Sequence, residues 1–389
     1  MERQTNDRTK KEGISSFTAA IIGGGLAGLS LSILLSKAGY ETVLFEKERY
    51  PFHKVCGEYI SLESWNFIEM LGLPLSQLQL PIIKKLIVSS PRGNTIETAL
   101  DLGGFGISRY FLDNKLKEIA EENGVTIFEG TKVSEVNFEN ENFNVKFQKG
   151  AVEAKIVAGA FGKRSVLDVK WKRDFIKEKA SKLNNYVGIK YHVKTSFAGD
   201  AIALHNFKNG YCGISKIEND EYCLCYLTTA KNLKENGNSI QKTEKNVLFQ
   251  NPFLKKIFNQ SEFLFPEPIT ISQISFEKKS LVENHVLMLG DAAGMITPLC
   301  GNGMSMAFHS SKIAFENIDS FLKGKVNRKQ MEENYSAQWK KEFGSRLKTG
   351  RIIQQFFGSR LLTEVFISSL KPFPFMVNKL VKATHGKEF

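Results

Sequence analysis

The sequence predicts an α/β protein, in which a domain built from strand–turn–helix units carries an inserted antiparallel sheet and is followed by C-terminal helices. Two such units, near residues 19–37 and 286–318, each place a buried apolar strand before a glycine-containing turn and a helix. Between them, residues 185–276 alternate apolar and polar side chains and contain Asn-Gly and Asn-Asp turn signals, as antiparallel strands do. With 389 residues and 42% hydrophobic content, the chain can bury a large core.

The first unit spans residues 18–47, with the sequence TAAIIGGGLAGLSLSILLSKAGYETVLFEK. It predicts a short buried strand over 19–22, a helix from about Leu26 to Lys37 and a second strand over 42–45. The apolar run 17–35 approaches the length of a membrane span, but its glycine cluster favours a buried strand, turn and helix.

The turn of this unit has the spacing G-x-G-x-x-G, which is typical of dinucleotide-binding folds. Gly23 permits the sharp turn, Gly25 lets a pyrophosphate approach the backbone, and Gly28 lets the helix pack on the strand. The start of the helix, at Leu26 and Ala27, offers unpaired N–H groups and the positive end of the helix dipole to the phosphates.

An acidic residue follows at the distance that this fold requires. Glu46 ends the second strand, 18 residues beyond Gly28, and can accept hydrogen bonds from both ribose hydroxyls. A carboxylate there would repel a 2′-phosphate, so FAD or NAD fits this site better than NADP. Lys47, next to Glu46, is a further candidate cofactor contact.

The second unit decides between the two dinucleotides. Residues 285–318 read HVLMLGDAAGMITPLCGNGMSMAFHSSKIAFENI, an apolar strand, a Gly-Asp turn and an amphipathic helix. Together with the N-terminal glycine motif, this segment resembles the FAD fold of the p-hydroxybenzoate hydroxylase type, which includes aromatic hydroxylases, flavin-dependent halogenases and geranylgeranyl reductases. The resemblance implies that Gly290 and Asp291 bind the ribityl chain of FAD. It also implies that the backbone of Gly301, Asn302, Gly303 and Met304 lies against the pyrimidine edge of the flavin, where a helix start stabilises negative charge.

A third segment is similar to the R-x-x-L-D-x-x-L helix of the same family. The resemblance implies that Arg109 reaches the cofactor and that Val133 meets the adenine through its backbone, although Arg109 fits a structural ion pair equally well. A fourth segment departs from the family. Where hydroxylases carry D-G-x-x-S-x-x-R, this chain has VAGAFGKRSVLD, and no second glycine fingerprint follows. Any NAD(P)H would therefore bind transiently as electron donor, or another protein would supply the electrons.

The stretch ERYPFHKVCGEYIS, at 48–61, follows the Glu46 strand and resembles the P-x-x-K-x-C-G segment of geranylgeranyl-reductase-like enzymes. The resemblance places Cys56 at the flavin and substrate cavity, as a proton donor, a redox-sensitive thiol or a packing residue. His53 and Lys54 are candidates to orient substrate or to offset the charge of reduced flavin. We expect no metal site, because two adjacent ligands alone bind metals poorly.

The cysteine content and the charge of the chain indicate its compartment and its binding partners. Five cysteines without regular spacing argue against a disulfide framework and favour a reducing, cytoplasmic environment. The net charge is +12, and residues 321–389 hold 14 Lys/Arg against 5 Asp/Glu, a net of +9. No nucleic-acid-binding module accompanies this charge. The basic tail with its apolar clusters fits either helices that close the cavity or peripheral contact with an anionic membrane.

We therefore expect a disordered lead-in at 1–13, a discontinuous Rossmann-type FAD-binding domain at 14–80, 104–184 and 277–330, a substrate-binding antiparallel sheet at 81–103 and 185–276, and C-terminal helices at 331–389. The expected function is a geranylgeranyl-reductase-like enzyme that acts on a large hydrophobic substrate, which is an isoprenoid, a lipid or a polyketide-like molecule. The alternatives are an NAD(P)H-dependent FAD monooxygenase of aromatic or polyketide substrates, and an FAD-binding electron-transfer protein without turnover of its own. A halogenase is less expected, because the W-x-W-x-I-P segment of tryptophan halogenases is missing.

Overall fold

The computed structural model describes residues 15–177, 184–296, 301–356, 360–372, 375, 382 and 386–389. The predicted lead-in at 1–13 lies outside the described residues. The strands are β1 (Ser15–Ile22), β2 (Thr42–Phe45), β3 (Tyr59–Ser61), β4 (Ile82–Ser89), β5 (Thr95–Gly106), β6 (Thr126–Phe128), β7 (Val133–Glu139), β8 (Asn142–Phe147), β9 (Gly150–Gly159), β10 (Asn184–Lys194), β11 (Ala201–Phe207), β12 (Gly210–Lys216), β13 (Tyr222–Thr229), β14 (Glu262–Phe263), β15 (Ile269–Ser275), β16 (Val282–Glu283) and β17 (Val286–Met288).

The helices connect and cover these strands. They are α1 (Leu26–Lys37), α2 (Trp65–Leu71), α3 (Arg109–Glu122), α4 (Val166–Lys170), α5 (Asp174–Lys177), α6 (Ala230–Glu235), α7 (Ile240–Asn246), α8 (Pro252–Gln260), α9 (Gly303–Leu322), α10 (Arg328–Phe356) and α11 (Arg360–Leu370). The two multi-strand sheets described next, with helices at the C-terminal end, confirm the predicted α/β class.

The first sheet contains the two predicted strand–turn–helix units. Its strand order is β16-β17-β9-β1-β2-β6, and the five strands from β17 to β6 run parallel. β7 and β8 extend it as an antiparallel addition to β9. Helix α1 is buried on nearly all sides because α3 and α9 pack against it, which explains its apolar composition. The carboxyl ends of β1, β9 and β17 therefore meet at one edge, where ligands bind in such sheets.

The second sheet has nine strands in the order β14-β10-β13-β12-β11-β4-β5-β3, with β15 also paired to β10. Its strands are antiparallel except for β4 and β11, which run parallel to each other. The hairpin between β11 and β12 turns at Asn209, whose φ of 59° lies in the left-handed region that asparagine tolerates. Short strand β3, from the segment just after Cys56, pairs with β5 at the edge of this sheet.

The C-terminal helices cover both parts of the molecule. Helix α10 packs on α9, the helix of the second strand–turn–helix unit. Helix α11 lies against the second sheet, where Ile367 and Leu370 contact Ile96 of β5. No helix in the described ranges combines the length and the apolar character that crossing a bilayer requires.

A buried ion pair fastens the divergent VAGAFGKRSVLD segment to the Gly-Asp turn. Arg173 Nη1 lies 2.7 Å from Asp168 Oδ1, and both side chains are 1% exposed. Arg173 Nη2 also donates to the carbonyl oxygen of Ala292, at 3.1 Å, within that turn. Asp168 in addition accepts the backbone N–H of Ser165, which caps α4.

We expect Arg173→Met to lower the free energy of unfolding by about 3–5 kcal/mol, because it leaves the Asp168 carboxylate buried without its partner. The matched control is Lys177→Met, which removes a pair with Asp174 whose side chains are 60% and 94% exposed, and should change stability by less than about 0.5 kcal/mol. Urea unfolding followed by circular dichroism measures both. Equal losses in the two variants would contradict the importance of the buried pair.

Candidate active site

The glycine turn between β1 and α1 is shaped by contacts of two of its glycines with the protein itself. Gly23 has a φ of +110°, and a Cβ built on it would lie 2.4 Å from the carbonyl oxygen of Ala160. A Cβ on Gly28 would lie 1.9 Å from the carbonyl oxygen of Gly23. Gly25 differs, since its Cβ would meet no protein atom closer than 3.7 Å. The space in front of Gly25 is therefore open, as binding of a pyrophosphate requires.

Glu46 braces this turn from the end of β2. One carboxylate oxygen accepts the N–H of Gly24 at 2.8 Å, and the other accepts the N–H of Glu48 at 3.0 Å. The hydroxyl of Tyr50 donates to the carbonyl oxygen of Gly24 from the neighbouring loop. Lys47 lies beside Glu46 with its side chain mostly exposed.

Two cations converge on one buried carboxylate beside Gly25. Arg109 contacts Asp113 through Nε–Oδ1 at 2.7 Å and Nη2–Oδ2 at 2.8 Å, and Lys54 Nζ lies 2.9 Å from Asp113 Oδ2. Burial favours a raised pKa for Asp113, but Arg109 and Lys54 outweigh it and lower the pKa. Arg109 thus makes the structural ion pair, and its guanidinium also lies 3.7 Å from the Cβ position of Gly25. Two cations against one carboxylate leave positive charge in front of the turn, which suits a pyrophosphate.

The two strand–turn–helix units meet at the Gly-Asp turn. Gly290 has a φ of +53° and packs so closely on α1 that its Cβ would lie 3.3 Å from that of Ala27. Desolvation by the surrounding protein raises the pKa of the Asp291 carboxyl, although the positive charges of Lys279 and Arg109 act to lower it. Lys279 Nζ donates to the carbonyl oxygens of Asp291 at 2.7 Å and of Lys163 at 2.8 Å.

The remaining predicted cofactor contacts lie near this edge or on the first sheet. Gly301 has a φ of +62° and faces the ring of Tyr59, and Asn302 is fully buried immediately before α9, which starts with Gly303 and Met304. Residues 297–300, between the Gly-Asp turn and α9, lie outside the described residues. Leu26 begins α1, and Val133 is buried at the start of β7.

The loop 53–58 connects the first sheet to the second through Glu58. This carboxylate is fully buried and accepts hydrogen bonds from Lys190 Nζ, from His192 Nε2 at 2.6 Å and from the backbone N–H of Arg109 at 2.7 Å. Burial acts to raise the pKa of Glu58, but Lys190 and His192 prevail and lower it to about 2. Glu58 itself has a φ of 53°, in the left-handed region, so these contacts hold a backbone conformation that glutamate rarely adopts.

Cys56 lies between the two sheets. Its side chain is partly exposed and packs against the main core, while its carbonyl oxygen accepts the thiol of Cys223 from β13 at 3.2 Å. Burial raises the pKa of the Cys56 thiol, although Arg109 opposes this. At neutral pH Cys56 therefore carries its proton, so it is suited to donate a proton and not to act as a thiolate nucleophile.

His53 is held in an aromatic cluster. Its ring stacks on Tyr110, with centroids 4.5 Å apart, and contacts Phe265 at 4.7 Å. Burial, with the charges of Lys190 and His192, lowers the pKa of His53 to about 4. The imidazole is therefore neutral at pH 7 and offers no positive charge to offset that of a reduced flavin.

The same region brings together three possible metal ligands. The ligand atoms of Glu58, His192 and Cys223 lie within 4.8 Å of one another. The ammonium group of Lys190 already pairs with Glu58 and supplies a positive charge at this place. The Glu58 carboxylate among these three side chains is therefore already paired with a cation of the chain itself.

Comparison with known proteins agrees with this geometry. Residues 16–341 match the family described as FAD binding domain, which is most of the chain. This chain belongs to the FAD binding domain family. As a member of it, the protein is a flavin-dependent oxidoreductase that uses FAD.

Relatives in sequence carry different names. Conditioned medium factor receptor 1 of Dictyostelium discoideum is 22% identical over 369 residues, which cover 85% of this chain and 68% of that protein. Tryptophan 2-halogenase of Chondromyces crocatus is 22% identical over 371 residues, covering 88% and 68%. Geranylgeranyl diphosphate reductase of Synechocystis is 25% identical over 360 residues, covering 87% and 84%.

Similar solved structures share the fold. The flavin-dependent brominase Bmp2 superimposes with a TM-score of 0.78 at 18% identity, over 95% of this chain and 93% of the brominase. A geranylgeranyl bacteriochlorophyll reductase-like protein of Thermoplasma acidophilum superimposes with a TM-score of 0.75 at 16% identity, over 97% of both chains. At these identities the similarity establishes the FAD-dependent fold and leaves the substrate open.

Several residues of the site were not found from the sequence. Asp113 stands in the R-x-x-L-D segment, and its place four residues after Arg109 was an available signal for an ion pair. Glu58 follows the Cys-Gly pair without any distinguishing pattern. Lys190 is a lysine in an alternating strand, where an exposed side chain would be the ordinary expectation, but it is fully buried.

We expect Gly25→Ala to weaken FAD binding about tenfold or more while the free protein stays folded. The added Cβ would enter the space in front of the turn, and it meets only ordinary contacts with Arg109 and Lys54. Titration of the FAD-free protein with FAD, followed by flavin fluorescence, measures the effect. Gly344→Ala, in α10 where a Cβ meets nothing within 4 Å, is the control and should bind FAD normally. Unchanged affinity in Gly25→Ala would place the cofactor elsewhere.

Proposed function

We propose that this protein reduces carbon–carbon double bonds of a large hydrophobic, isoprenoid-like substrate with electrons held on FAD. The observation that carries the proposal is an apolar cluster on the second sheet next to the Gly-Asp turn. The cluster comprises Tyr186, Leu204, Tyr211, Leu227, Ile274 and Phe276, with the partly exposed Leu86, Val88, Ile271 and Met295 packed against it. Met295 follows the Gly-Asp turn by only a few residues, so the apolar cluster adjoins the segment proposed to bind the cofactor.

The proposed chemistry divides between cofactor and chain. FAD, when bound and reduced, supplies the hydride. Cys56, whose thiol retains its proton at neutral pH, donates the proton that completes reduction of the double bond. Lys190 and Glu58 hold the Cys56 loop against the second sheet, and Arg109 with Lys54 binds the pyrophosphate. The relatives named geranylgeranyl diphosphate reductase and digeranylgeranylglycerophospholipid reductase support this substrate class.

NAD(P)H is proposed as a transient electron donor. The described part of the first sheet carries a single G-x-G-x-x-G turn, which the FAD site uses. A nicotinamide nucleotide would therefore dock on the surface of the FAD domain and leave after hydride transfer, or a protein donor would replace it.

The second candidate is an enzyme that inserts oxygen or halogen into an aromatic or polyketide substrate. The relative named tryptophan 2-halogenase and the fold of the brominase favour it. The aromatic side chains Tyr186 and Tyr211 in the apolar cluster fit such a substrate as well.

Anaerobic reaction of the reduced protein distinguishes the two. We expect that geranylgeranyl diphosphate or a geranylgeranyl lipid, added to the dithionite-reduced protein without oxygen, reoxidises the flavin and gains a pair of hydrogens per double bond by mass spectrometry. Reoxidation that requires air, together with product containing added oxygen or halogen, would support the second candidate and contradict the first.

We expect Cys56→Ala to slow this anaerobic reoxidation by about 100-fold or more, the usual contribution of a positioned proton donor. Flavin absorbance and FAD affinity should stay unchanged, since Gly25, Arg109 and Lys54, which are proposed to bind the pyrophosphate, are left in place. Stopped-flow absorbance measures the rate. Cys225→Ala is the control, because Cys225 is also a partly exposed cysteine on the facing strand and has no assigned role. Equal rates in wild type and Cys56→Ala would make Cys56 a packing residue.

The C-terminal region is proposed to close the substrate cavity that the family resemblance implies and, at its outer surface, to touch anionic lipid reversibly. Ile367 and Leu370 face the second sheet, while Val365 and Phe375 are 66% and 68% exposed. Lys371 lies between these two exposed apolar residues in the sequence, and much of the basic stretch that follows lies outside the described residues. We expect the protein to sediment with vesicles of anionic phospholipid and not with vesicles of zwitterionic phospholipid. If it sediments with neither kind of vesicle, cavity closure remains the role of this region.

A further inference from the structure

A buried polar cluster lies beneath the amino end of α9. It consists of Glu63, from the segment after β3, Asn302 and Ser305, at the start of α9, and Arg346, from α10. Glu63 is 1% exposed, Arg346 is 8% exposed, and Asn302 and Ser305 are fully buried. The cluster therefore adjoins the segment 301–304, which we assign to the pyrimidine edge of the flavin.

The charges in this cluster are incompletely paired. Arg346 Nη1 lies 3.8 Å from Glu63 Oε1, which is beyond hydrogen-bond distance. Within the described residues, neither Glu63 oxygen nor the Ser305 hydroxyl has a hydrogen bond of normal geometry. Buried polar groups are almost always hydrogen-bonded, and exceptions mark places with a special role. The carboxyl of Glu63 is thus held in the protein interior with its nearest cation beyond hydrogen-bond distance.

Residues 386–389 shield the cluster from solvent. Gly386 lies directly over the ion pair, since its Cβ would come within 2.1 Å of Glu63 Oε2 and 2.2 Å of Arg346 Nη2. Phe389 stacks face to face on His309 of α9, with centroids 4.1 Å apart and an interplanar angle of 5°. Exchange of water with the carboxyl is therefore restricted, and the local charge is poorly screened.

Among the titratable groups in and around this cluster, Glu63 is the one that can gain or lose a proton near neutral pH. Burial raises the pKa of Glu63, although Arg346, Asn302 and Ser305 oppose it. Tyr59 is neutral because burial raises its pKa, and His309 is neutral at pH 7 because burial and Arg346 lower its pKa to about 4.

We propose that Glu63 takes up a proton from solvent when the flavin bound at the amino end of α9 is reduced. The proposal rests on FAD as cofactor, with its pyrimidine edge at 301–304, and does not depend on the substrate. In the coupled step, a hydride donor or dithionite gives the flavin two electrons, the flavin takes its own proton from the donor or from water, and the Glu63 carboxylate becomes a carboxylic acid. Negative charge added next to a buried carboxylate raises its proton affinity, and linkage requires that this proton in turn favours reduction.

The pH dependence of the flavin midpoint potential tests the coupling. One extra proton per two electrons makes the potential fall by a further ~30 mV per pH unit, which is a tenfold change in proton concentration converted for a two-electron couple. We expect wild type to show this extra slope over part of the range between about pH 5 and pH 9, where buried carboxyl groups titrate. Glu63→Gln should lack it. Glu388→Gln, which alters the exposed contact of Glu388 with Asn66, should keep it.

Identical curves for wild type and Glu63→Gln would overturn the proposal. If Glu63→Gln fails to fold or to bind FAD, infrared difference spectra of the wild-type holoprotein decide. Reduction should produce a carboxylic-acid C=O stretch that shifts in D₂O, and its absence would equally overturn the proposal. Because these measurements use no substrate, failure of alkene reduction leaves them intact, whereas a protein that binds no FAD would overturn both proposals.

Discussion

The contact of Glu58 with Lys190 and His192 is the interaction on which the geometry of the site depends. Glu58 belongs to the loop that follows the first sheet, and its two partners belong to β10 of the second sheet. Glu58 also accepts the backbone N–H of Arg109, the first residue of α3, so three parts of the chain meet at one carboxylate. A fully buried lysine remains charged only beside such a partner, because desolvation otherwise favours the neutral amine.

The same contacts fix the positions of the charged groups along the edge of the first sheet where the cofactor is expected to bind. Arg109, fixed by Glu58 through its backbone and by Asp113 through its side chain, stands beside the open space at Gly25. The Gly-Asp turn arrives from the other end of the chain and is held against α1 by the close contact of Gly290 with Ala27. Met295, just after that turn, packs against the apolar cluster of the second sheet, and the carbonyl oxygen of Cys56 accepts the thiol of Cys223 from β13 of the same sheet. In the proposed function, phosphate binding, proton donation and apolar contact with the substrate use separate parts of this region.

Sequence patterns predicted those helices and strands whose bounds are set by interactions within one short stretch of the chain. The helix over 26–37 and the strand over 42–45 have the predicted bounds, because periodicity and the glycine turn specify them within one short stretch. The parallel pairing of β4 with β11 was not predicted, since it depends on which strands meet across more than a hundred residues. The same reason hid the partnership of Glu58 with Lys190, whose residues are 132 apart, and the approach of Gly386 to Glu63. The family resemblance supplied the cofactor and pointed to Cys56, whereas Glu58 and Lys190 became apparent only from the tertiary structure.

A double-mutant cycle on the free energy of unfolding tests most directly whether Glu58 and Lys190 act as one unit. Glu58→Gln leaves the Lys190 ammonium buried without its counter-charge, and Lys190→Met does the same to the carboxylate. Each single change should cost about 3–5 kcal/mol, and the double variant should be clearly more stable than the sum of the two losses predicts. Losses that simply add would show that the two side chains contribute independently, and would contradict the role of this contact as the link between the two sheets.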